Sequence, residues 1–472
     1  MFGLEILDRE ALYRRLPTSL QNVSCSFVGW HNEHTRYAGA FPRILDEAVA
    51  RTYWTAERIA SFRDRRLASI VETCQFIPFY RERIRASGIE ASDIRSLKDL
   101  EVLPILTKDE VRDHLVKLSR AAVPARKTRP VHTSGTTGAG LRFSTTMLAI
   151  QEQWAVWWRY RGWHGIRKGT WCGVFAGRSI VPSTQSDPPF WRVNHFGRQL
   201  LFSGYHMSPQ NLSAYVAELR RRQPPWLHGY PSLLALLAAY LIDSNTDLGY
   251  DVGWVTVGAE NLLPHQAAII KRGLGVRPIQ HYGLAEGVAN ISQCERGSLH
   301  VDEDFAAVEF LPTGHDGLHR IIGTNLTNPA TPLLRYETQD LATLRRDSSC
   351  GCGRPGRVVE RVDGRLEDYV VLRNGTRIGR MDHVFKDMVN IKEAQIYQAT
   401  PGEMTIRVVR GAEYGEADEE TLIRETRKRV GGETDVRIEY AQSLPRSETG
   451  KLRFVVSDIQ GADIQKLPAT HL

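Results

Sequence analysis

Apolar and polar residues alternate at two different periods along the 472-residue chain. In residues 55–88 the apolar side chains recur at helical spacing, and the first 125 residues are predicted to be mainly helical. From Pro130 onward, short β-prone runs alternate with helical patterns, which is typical of layered α/β structure. We predict strands at residues 170–175, 226–228 and 252–257 and helices at residues 209–222 and 232–243.

The pattern changes after Gly364, where strands alternate with helices over about a hundred residues, a common domain size. Strands are predicted at residues 369–372, 403–409 and 436–440, and a helix at residues 419–430. Because 472 residues exceed one compact core, we predict two domains. The large N-terminal domain, residues 1–363, is α/β with layered sheets and helices and begins with a helical entry segment, residues 1–125. The small C-terminal domain, residues 364–472, is α+β.

Three tryptophans stand at helical spacing within the large N-terminal domain: Trp154, Trp157 and Trp158. This spacing favours a core-facing helix stripe over an aromatic cage for a substrate.

Charge and cysteine usage narrow the classes of partner. The 61 basic and 54 acidic residues give a net charge of +7, spread along the chain. The one arginine run, residues 220–222, is interpreted as a solvated helix face, so we expect no nucleic-acid partner.

The N-terminus lacks a signal-peptide pattern, and the longest apolar run, residues 233–242, has about half the length that crosses a bilayer. We therefore expect a cytoplasmic chain without a membrane partner, whose six cysteines are thiols or metal ligands.

The sharpest local pattern is TSGTTGAG at residues 133–140. Its glycines allow a tight turn that presents N–H groups to an anion, and its hydroxyls add donors for phosphate oxygens. It lacks the Gly-Lys-Ser/Thr ending of a P-loop, which argues against an ordinary NTPase. Taken alone, such a segment is a surface turn as readily as a phosphate site.

Further blocks with chemical groups follow it in the chain. They are QHYGLAE at residues 280–286, RYETQD at 335–340, GRLED at 364–368 and PRSETGK at 445–451. Taken in order with residues 133–140, these blocks resemble the acyl-adenylate-forming superfamily of acyl-CoA synthetases, adenylation domains and luciferases. Segments 229–232, 258–260 and 350–354 are similar to the phenylacetate–CoA ligase branch and its capsular-polysaccharide-associated relatives. The resemblance covers residues 20–455.

The resemblance implies a site for ATP. The ATP phosphates would be cradled by Thr133, Ser134, Gly135, Thr136, Thr137 and Gly138. The adenine pocket would be lined by Gly258, Ala259 and Glu260, with Tyr282, next to Gly283, stacking on the purine.

It also implies charged groups around the reacting atoms. Glu286 would hold Mg²⁺, Asp340 would bind the ribose hydroxyls, and Arg365 would reach ribose or phosphate. Lys451 would be the catalytic residue, stabilising charge that develops at the attacking carboxylate and the α-phosphate. Because one lysine on a small domain cannot serve two half-reactions in one pose, the small domain is expected to move about residues 364–368.

Two positions depart from the family pattern. Ala285 stands where a Thr or Ser usually precedes the acid, so one hydroxyl contact near the phosphate is lost. Gln339 replaces the frequent Gly before Asp340, which leaves the backbone there in question. Neither change removes a charged group.

A metal site is suggested by Cys294 and His300, followed much later by Cys350 and Cys352. Structural zinc uses these ligands in tetrahedral geometry, although one residue between two cysteines is tighter than usual. Alternatively, Cys350 and Cys352 belong to a glycine-rich turn, and Cys294 is a small buried hydrophobe. Relatives in the branch often carry the pattern, so the resemblance implies a structural zinc ion. Four protein ligands would leave no open position for catalysis.

Three functions are considered. The first is an acid–thiol ligase that activates a carboxylic acid as acyl-AMP and passes the acyl group to coenzyme A. The second is an amide ligase, in which an amine acceptor attacks the same adenylate. The third is a nucleotide-binding protein without catalysis, against which the retained Glu286, Asp340 and Lys451 argue. A homodimer is compatible with each.

The acyl pocket is the least defined part of the site. Trp171, Phe175 and Tyr230 could contact a ring-bearing acid, and they are equally typical of a core.

Overall fold

The computed structural model describes most of the chain between residues 12 and 459. The residues in this interval that it does not describe are 120–122, 124–126, 133–140, 178–179, 183, 209, 261, 263, 314–316, 346–349, 364–369, 379–380, 386–389, 411–413, 443 and 445–454. The predicted blocks 133–140, 364–368 with Arg365, and 445–451 with Lys451 therefore lie outside the described residues.

The described residues of the entry segment are mainly helical, as the apolar spacing predicted. Its helices are α1 (Thr18–Thr35), α2 (Phe41–Arg51), α3 (Ala56–Cys74), α4 (Pro78–Ala86) and α5 (Lys108–Leu118). Side chains cap two of the helix starts: Thr55 accepts a hydrogen bond from the backbone of Arg58, and Thr107 and Glu110 cap each other's backbone N–H groups. Pro78 is the first residue of α4. An N–H group at this position has no partner within the helix, so a proline, which lacks the N–H, is tolerated there.

A hairpin and a long helix come next. They are β1 (Thr128–His132), β2 (Arg142–Thr146) and α6 (Met147–Trp163). The two strands pair antiparallel, with His132 opposite Arg142 on either side of the glycine-rich segment. Thr146 caps the start of α6 through the backbone N–H of Ala149.

Within the described residues, twelve strands form one mixed sheet. They are β3 (Cys172–Ala176), β4 (Trp191–Asn194), β5 (Gln199–Ser203), β6 (Trp226–Gly229), β7 (Trp254–Gly258), β8 (Pro278–Gly283), β9 (Asn290–Gln293), β10 (Leu299–Val301), β11 (Ala306–Pro312), β12 (Leu318–Asn325), β13 (Tyr336–Leu344) and β14 (Val358–Asp363). The order across the sheet is β11-β12-β13-β14-β10-β9-β8-β7-β6-β3-β5-β4. Strands β5, β3, β6, β7 and β8 run parallel, whereas β8 pairs antiparallel with β9.

The parallel part of the sheet is covered by the apolar faces of helices. These are α7 (Leu212–Arg222), α8 (Pro231–Asp243) and α9 (Pro264–Leu274). The apolar run at residues 233–242 lies in α8, where Leu234 and Leu237 are fully buried against the sheet. No helix in the described part of the chain combines the length and the apolar character needed to cross a membrane.

The C-terminal residues form separate sheets. A small pair, β15 (Val370–Val371) and β16 (Arg377–Ile378), precedes a four-stranded sheet. The larger sheet contains β17 (Ile391–Gln398), β18 (Glu403–Arg410), β19 (Asp435–Tyr440) and β20 (Val455–Ser457), and its helix is α10 (Glu416–Val430). Within the described residues, no strand after β14 joins the large sheet. The mixed α/β and α+β fold class is confirmed, while the domain boundary at residue 363 stays a prediction.

Two carboxylates are buried with arginines in the turn between β10 and β11. Arg159 of α6 donates to Asp302 Oδ1 at 2.6 Å and to Asp304 Oδ2 at 2.7 Å. Arg51 of α2 donates to the same Asp304 oxygen at 2.6 Å. We call residues 302–304 the acidic turn.

The middle residue of the acidic turn, Glu303, has its own arginine partners. It pairs with Arg63 of α3 and accepts a hydrogen bond from Arg357 Nε at 2.7 Å. The acidic turn therefore fastens three helices of the large domain to the large sheet through buried, charge-assisted hydrogen bonds.

Burial and charge act against each other on these acids. Burial raises the pKa of Asp302 above its ordinary value, although Arg159 opposes the shift. Burial also opposes ionisation of Asp304, but the Arg159 and Arg51 guanidinium groups hold its pKa well below its ordinary value. Asp304 is therefore ionised at neutral pH and depends on both arginines.

We predict that Arg159→Ala lowers the free energy of unfolding by about 3–5 kcal/mol, because it leaves buried carboxylates without their main partner. The change would be measured as a shift in the midpoint of chemical denaturation, followed by tryptophan fluorescence. The matched control is Arg43→Ala, which breaks an exposed pair with Glu47 on α2 and should cost less than about 1 kcal/mol. Equal midpoints for the two variants would contradict a structural role for the acidic turn.

Candidate functional site

Two parallel strands end together at one edge of the large sheet. Gly258, the last residue of β7, pairs in register with His281 of β8. Ala259 and Glu260 therefore follow the end of β7 at the edge of the sheet where β8 reaches Tyr282. Ligands in α/β sheets usually bind at the carboxyl ends of such strands, where the strand order or direction changes. Here the change falls at β8, whose other neighbour is antiparallel.

A hydrogen bond joins this edge to a third strand. The Tyr282 hydroxyl donates to Asp340 Oδ2 at 2.8 Å. Asp340 lies on β13 and is largely buried, and its backbone N–H donates to Thr338 Oγ1 at 3.1 Å. The structure thus brings together two residues that are 58 positions apart in the chain, both of which the sequence predicted to contact the nucleotide.

Two backbone positions at the site adopt a conformation that usually needs glycine. Gln339 has a φ of 64° and Ala259 a φ of 68°. Positive φ is costly for residues with a Cβ and is the reason that glycine is common in such turns. Gln339 therefore keeps the left-handed backbone expected of a glycine before Asp340.

The loop after β8 is held from both sides. Gln153 of α6 donates to the carbonyl oxygen of Leu284 at 2.8 Å, and Asn325 of β12 donates to that of Glu286 at 3.3 Å. Gly323 permits the close approach of this loop to β12, because a Cβ there would lie 2.2 Å from the carbonyl oxygen of Val288. Glu286, in this loop, is largely buried.

An asparagine that the sequence reasoning missed supports this loop. Asn290 Oδ1 accepts hydrogen bonds from Trp157 Nε1 at 3.0 Å and from His281 Nε2 at 2.9 Å, and its amide donates to Asp302 at 2.6 Å. Burial, with Arg161 nearby, lowers the pKa of His281 to about 3, so its ring is neutral. Asn290 therefore links the site to the acidic turn.

The aromatic residues of the sequence analysis are mostly packing residues. Trp154 contacts Trp157 edge to face at 4.7 Å between ring centroids, and Trp158 contacts Trp226 at 6.1 Å.

Of the acyl-pocket candidates, Phe175 is fully buried and stacks on Phe202 in the core. Trp171 and Tyr230 are only partly buried.

The four predicted metal ligands meet at one point. Cys294 follows β9, His300 lies in β10, and Cys350 and Cys352 precede β14. Strand β10 pairs with both β9 and β14, so the topology brings the ligands together. Their ligand atoms all lie within 4.8 Å of one another. The predicted cluster is confirmed as a possible metal site.

The distances suit a tetrahedral ion. The sulfur atoms of Cys294 and Cys350 are 3.8 Å apart, and Cys352 Sγ lies 3.3 Å from His300 Nε2. Thiolates at about 2.3 Å from a tetrahedral zinc ion lie about 3.8 Å from each other.

Burial raises the pKa of Cys294 to about 11. Burial acts in the same direction on Cys350, but hydrogen bonds with Ser298, Cys352 and His300 lower its pKa to about 6.

Comparisons with known proteins identify related sequences. Residues 370–458 match the family model of the CapK C-terminal domain. The chain is 25% identical to Protein CapK of Staphylococcus aureus over 394 residues, which cover 81% of this chain and 85% of CapK. It is 26% identical to the phenylacetate-coenzyme A ligase of Thermus thermophilus over 462 residues, which cover 85% of this chain and 96% of the ligase.

The fold also matches a solved structure, 2-hydroxyisobutyryl-CoA ligase in complex with 2-HIB-AMP and CoA. The TM-score is 0.55 at 20% sequence identity, with 86% of this chain and 91% of that chain covered. At this identity the likeness shows a shared fold. Together with the sequence relatives, it supports the predicted resemblance to the acyl-adenylate-forming superfamily and to its branch of phenylacetate–coenzyme A ligases and CapK-related proteins.

Proposed function

We propose that this protein is an ATP- and Mg²⁺-dependent carboxylate ligase that forms an acyl-adenylate and then transfers the acyl group to coenzyme A. The observation that carries the proposal is the hydrogen bond between Tyr282 and Asp340, which joins two nucleotide-site blocks at the carboxyl edge of the parallel strands. The relatives named phenylacetate-coenzyme A ligase support the same reaction class.

The reaction has two steps. A carboxylate oxygen attacks the α-phosphorus of ATP, and pyrophosphate leaves, so that the acyl group and AMP share a mixed anhydride. The sulfur of coenzyme A then attacks the acyl carbon, loses its proton, and AMP leaves. The first step gathers negative charge on the phosphates, so positioned cations and N–H donors supply most of the stabilisation.

Described residues would bind the nucleotide as follows. Gly258, Ala259 and Glu260 would line the adenine pocket, Tyr282 would stack on the purine, and Asp340 would accept hydrogen bonds from the ribose hydroxyls. The Tyr282 hydroxyl donates to the Asp340 carboxylate and thereby helps to orient it.

The remaining roles concern charge. Glu286 would hold Mg²⁺, and its carboxylate is the hard oxygen ligand that this ion prefers. When bound, the ion neutralises charge on the phosphates. Residues 133–138, Arg365 and Lys451 keep the roles that the resemblance implies. With residues 364–472 as a small domain that moves about residues 364–368, Lys451 would serve the first step and then make room for the acceptor.

A screen of carboxylic acids tests the function. Purified protein with ATP and Mg²⁺ should release pyrophosphate in the presence of one class of acid and not in its absence. Mass spectrometry of the same mixture with coenzyme A should then detect the acyl thioester. A product formed only with added amines would move the assignment to an amide ligase, and absence of acid-dependent pyrophosphate release across the screen would argue against an enzyme of this class.

We predict that Asp340→Ala raises the KM for ATP roughly tenfold to a hundredfold, because hydrogen bonds to a charged acceptor contribute about 1.5–3 kcal/mol. Tyr282→Phe keeps the stacking ring and removes the hydroxyl, so it should also raise the KM for ATP, but by less than Asp340→Ala does. The KM would be measured by pyrophosphate release at saturating acid.

The control for Asp340 is Glu337→Ala on the same strand, which breaks an ion pair with Arg320 but touches no part of the proposed nucleotide site. It should leave the KM for ATP within about twofold, since pairs of this exposure contribute little. If Asp340→Ala behaves like Glu337→Ala, Asp340 does not bind ATP.

We further propose that Cys294, His300, Cys350 and Cys352 bind one structural zinc ion. Thiolate and imidazole ligands with the observed spacing support zinc over harder ions. An ion at this point would fasten the loop before β14 to β9 and β10. Next to the cluster, Arg354 pairs with Glu295 and lies over the ring of Trp163 at 4.5 Å, so loss of the ion would also loosen the end of α6.

Elemental analysis of protein purified without added metal should find about one zinc ion per chain. The double variant Cys350→Ser/Cys352→Ser should lose the ion and melt at a lower temperature, because metal binding contributes directly to folding. Cys25→Ser removes a thiol on α1, remote in sequence from the cluster, and should keep the full zinc content. Metal-free parent protein whose melting temperature matches that of the double variant and does not rise when zinc is added would rule out the site.

A further inference from the structure

Helix α1 packs on the large sheet through its polar and small residues. Ser26 Oγ donates to the carbonyl oxygen of Val193 at 3.3 Å, and Asn22 Oδ1 accepts a hydrogen bond from the N–H of the same residue at 2.8 Å. Gln21 is buried and bonds Arg192. These contacts all lie on β4, the last strand at one end of the large sheet.

Gly29 brings the helix backbone close to this strand. A Cβ at Gly29 would lie 2.0 Å from Asn194 Oδ1, so a larger residue would push α1 away from β4. The side of α1 that faces the protein is therefore fixed by its small and polar residues, which is the reverse of an ordinary amphipathic surface helix.

The large apolar residues of α1 face outward instead. Val23 and Phe27 are each 63% exposed, Leu20 is 48% exposed, and Trp30 is 39% exposed. The rings of Phe27 and Trp30 stack with their centroids 5.6 Å apart. We call these four residues the outer stripe. Phe196, in the turn after β4, is also exposed at this end of the sheet.

We propose that the outer stripe is a homodimer interface, in which α1 packs antiparallel against α1 of a second copy of this chain. The stripe residues are spaced by three, four and three positions, which is the a/d pattern of a two-helix coil. An antiparallel pair centred between Val23 and Phe27 places Val23 against the partner's Phe27 and Leu20 against the partner's Trp30. The same surface is thus complementary to itself, as a two-fold interface requires.

Size and charge favour a second copy over a membrane. The stripe exposes on the order of 400 Å² of apolar side chain, given the exposed fractions and the usual size of these residues. That is about the apolar half of a standard interface of about 800 Å² per partner. Helices that lie on membranes are rich in Lys and Arg, whereas α1 contains neither residue in TSLQNVSCSFVGWHNEHT.

The test is the mass of the protein in solution, measured by sedimentation equilibrium over the micromolar range. The parent chain should be a dimer, and Phe27→Asp, which puts a charge at the centre of the stripe, should be a folded monomer. The matched control is Val28→Asp. Val28 is 57% exposed on the same helix but points about 100° away from Phe27, so this variant should stay dimeric.

Three results would overturn the proposal. A parent chain that is monomeric throughout the range has no such interface, and binding of that monomer to anionic phospholipid vesicles would assign the stripe to a membrane surface. A dimer that persists in Phe27→Asp as in Val28→Asp forms through another surface. A dimer that dissociates in both variants would mean that any charge on α1 disrupts it, and the stripe would lose its special role.

Discussion

The large domain depends on neutralising the three buried acids between β10 and β11. An ionised carboxylate inside a protein is costly unless it is paired and hydrogen-bonded, and here the partners are arginines from α2, α3 and α6 and one arginine before β14. The same turn accepts a hydrogen bond from Asn290, which in turn bonds His281, the residue before Tyr282. Charge neutralisation in the interior and the geometry of the candidate nucleotide site are therefore parts of one hydrogen-bonded network.

Much of the architecture could be predicted from the sequence because periodicity reports local structure. The helices predicted at 209–222 and 232–243 correspond to α7 and α8, and the strands predicted at 403–409 and 436–440 correspond to β18 and β19, within a few residues at each end. The order of strands in the large sheet could not be predicted. The pairing of β10 with β14, or of β9 with β8, is set by tertiary contacts. The periodicity of a single sequence carries no information on which strands pair.

The candidate site was predicted in part, for a related reason. The blocks around Tyr282 and Asp340 were identified by their resemblance, and the four metal ligands that the structure brings together were identified by their residue types as well. The supporting residues were missed because Asn290, Arg159 and Asp302 carry no local pattern and acquire their role only when distant elements meet. The run of three acids between two β-prone segments was the one available signal, since buried acids need arginines. Phe175, considered for the acyl pocket, belongs to the core because it stacks on the neighbouring strand's Phe202.

The central claim is that a carboxylate oxygen attacks the α-phosphorus of ATP. The most direct measurement follows heavy oxygen from a labelled carboxylic acid substrate into the products by mass spectrometry. An acyl-adenylate route transfers one labelled oxygen atom to AMP when the acyl group moves to its acceptor, and leaves pyrophosphate unlabelled. Label in inorganic phosphate together with ADP would mean that the acid attacks the γ-phosphorus to give an acyl phosphate, and it would contradict the account.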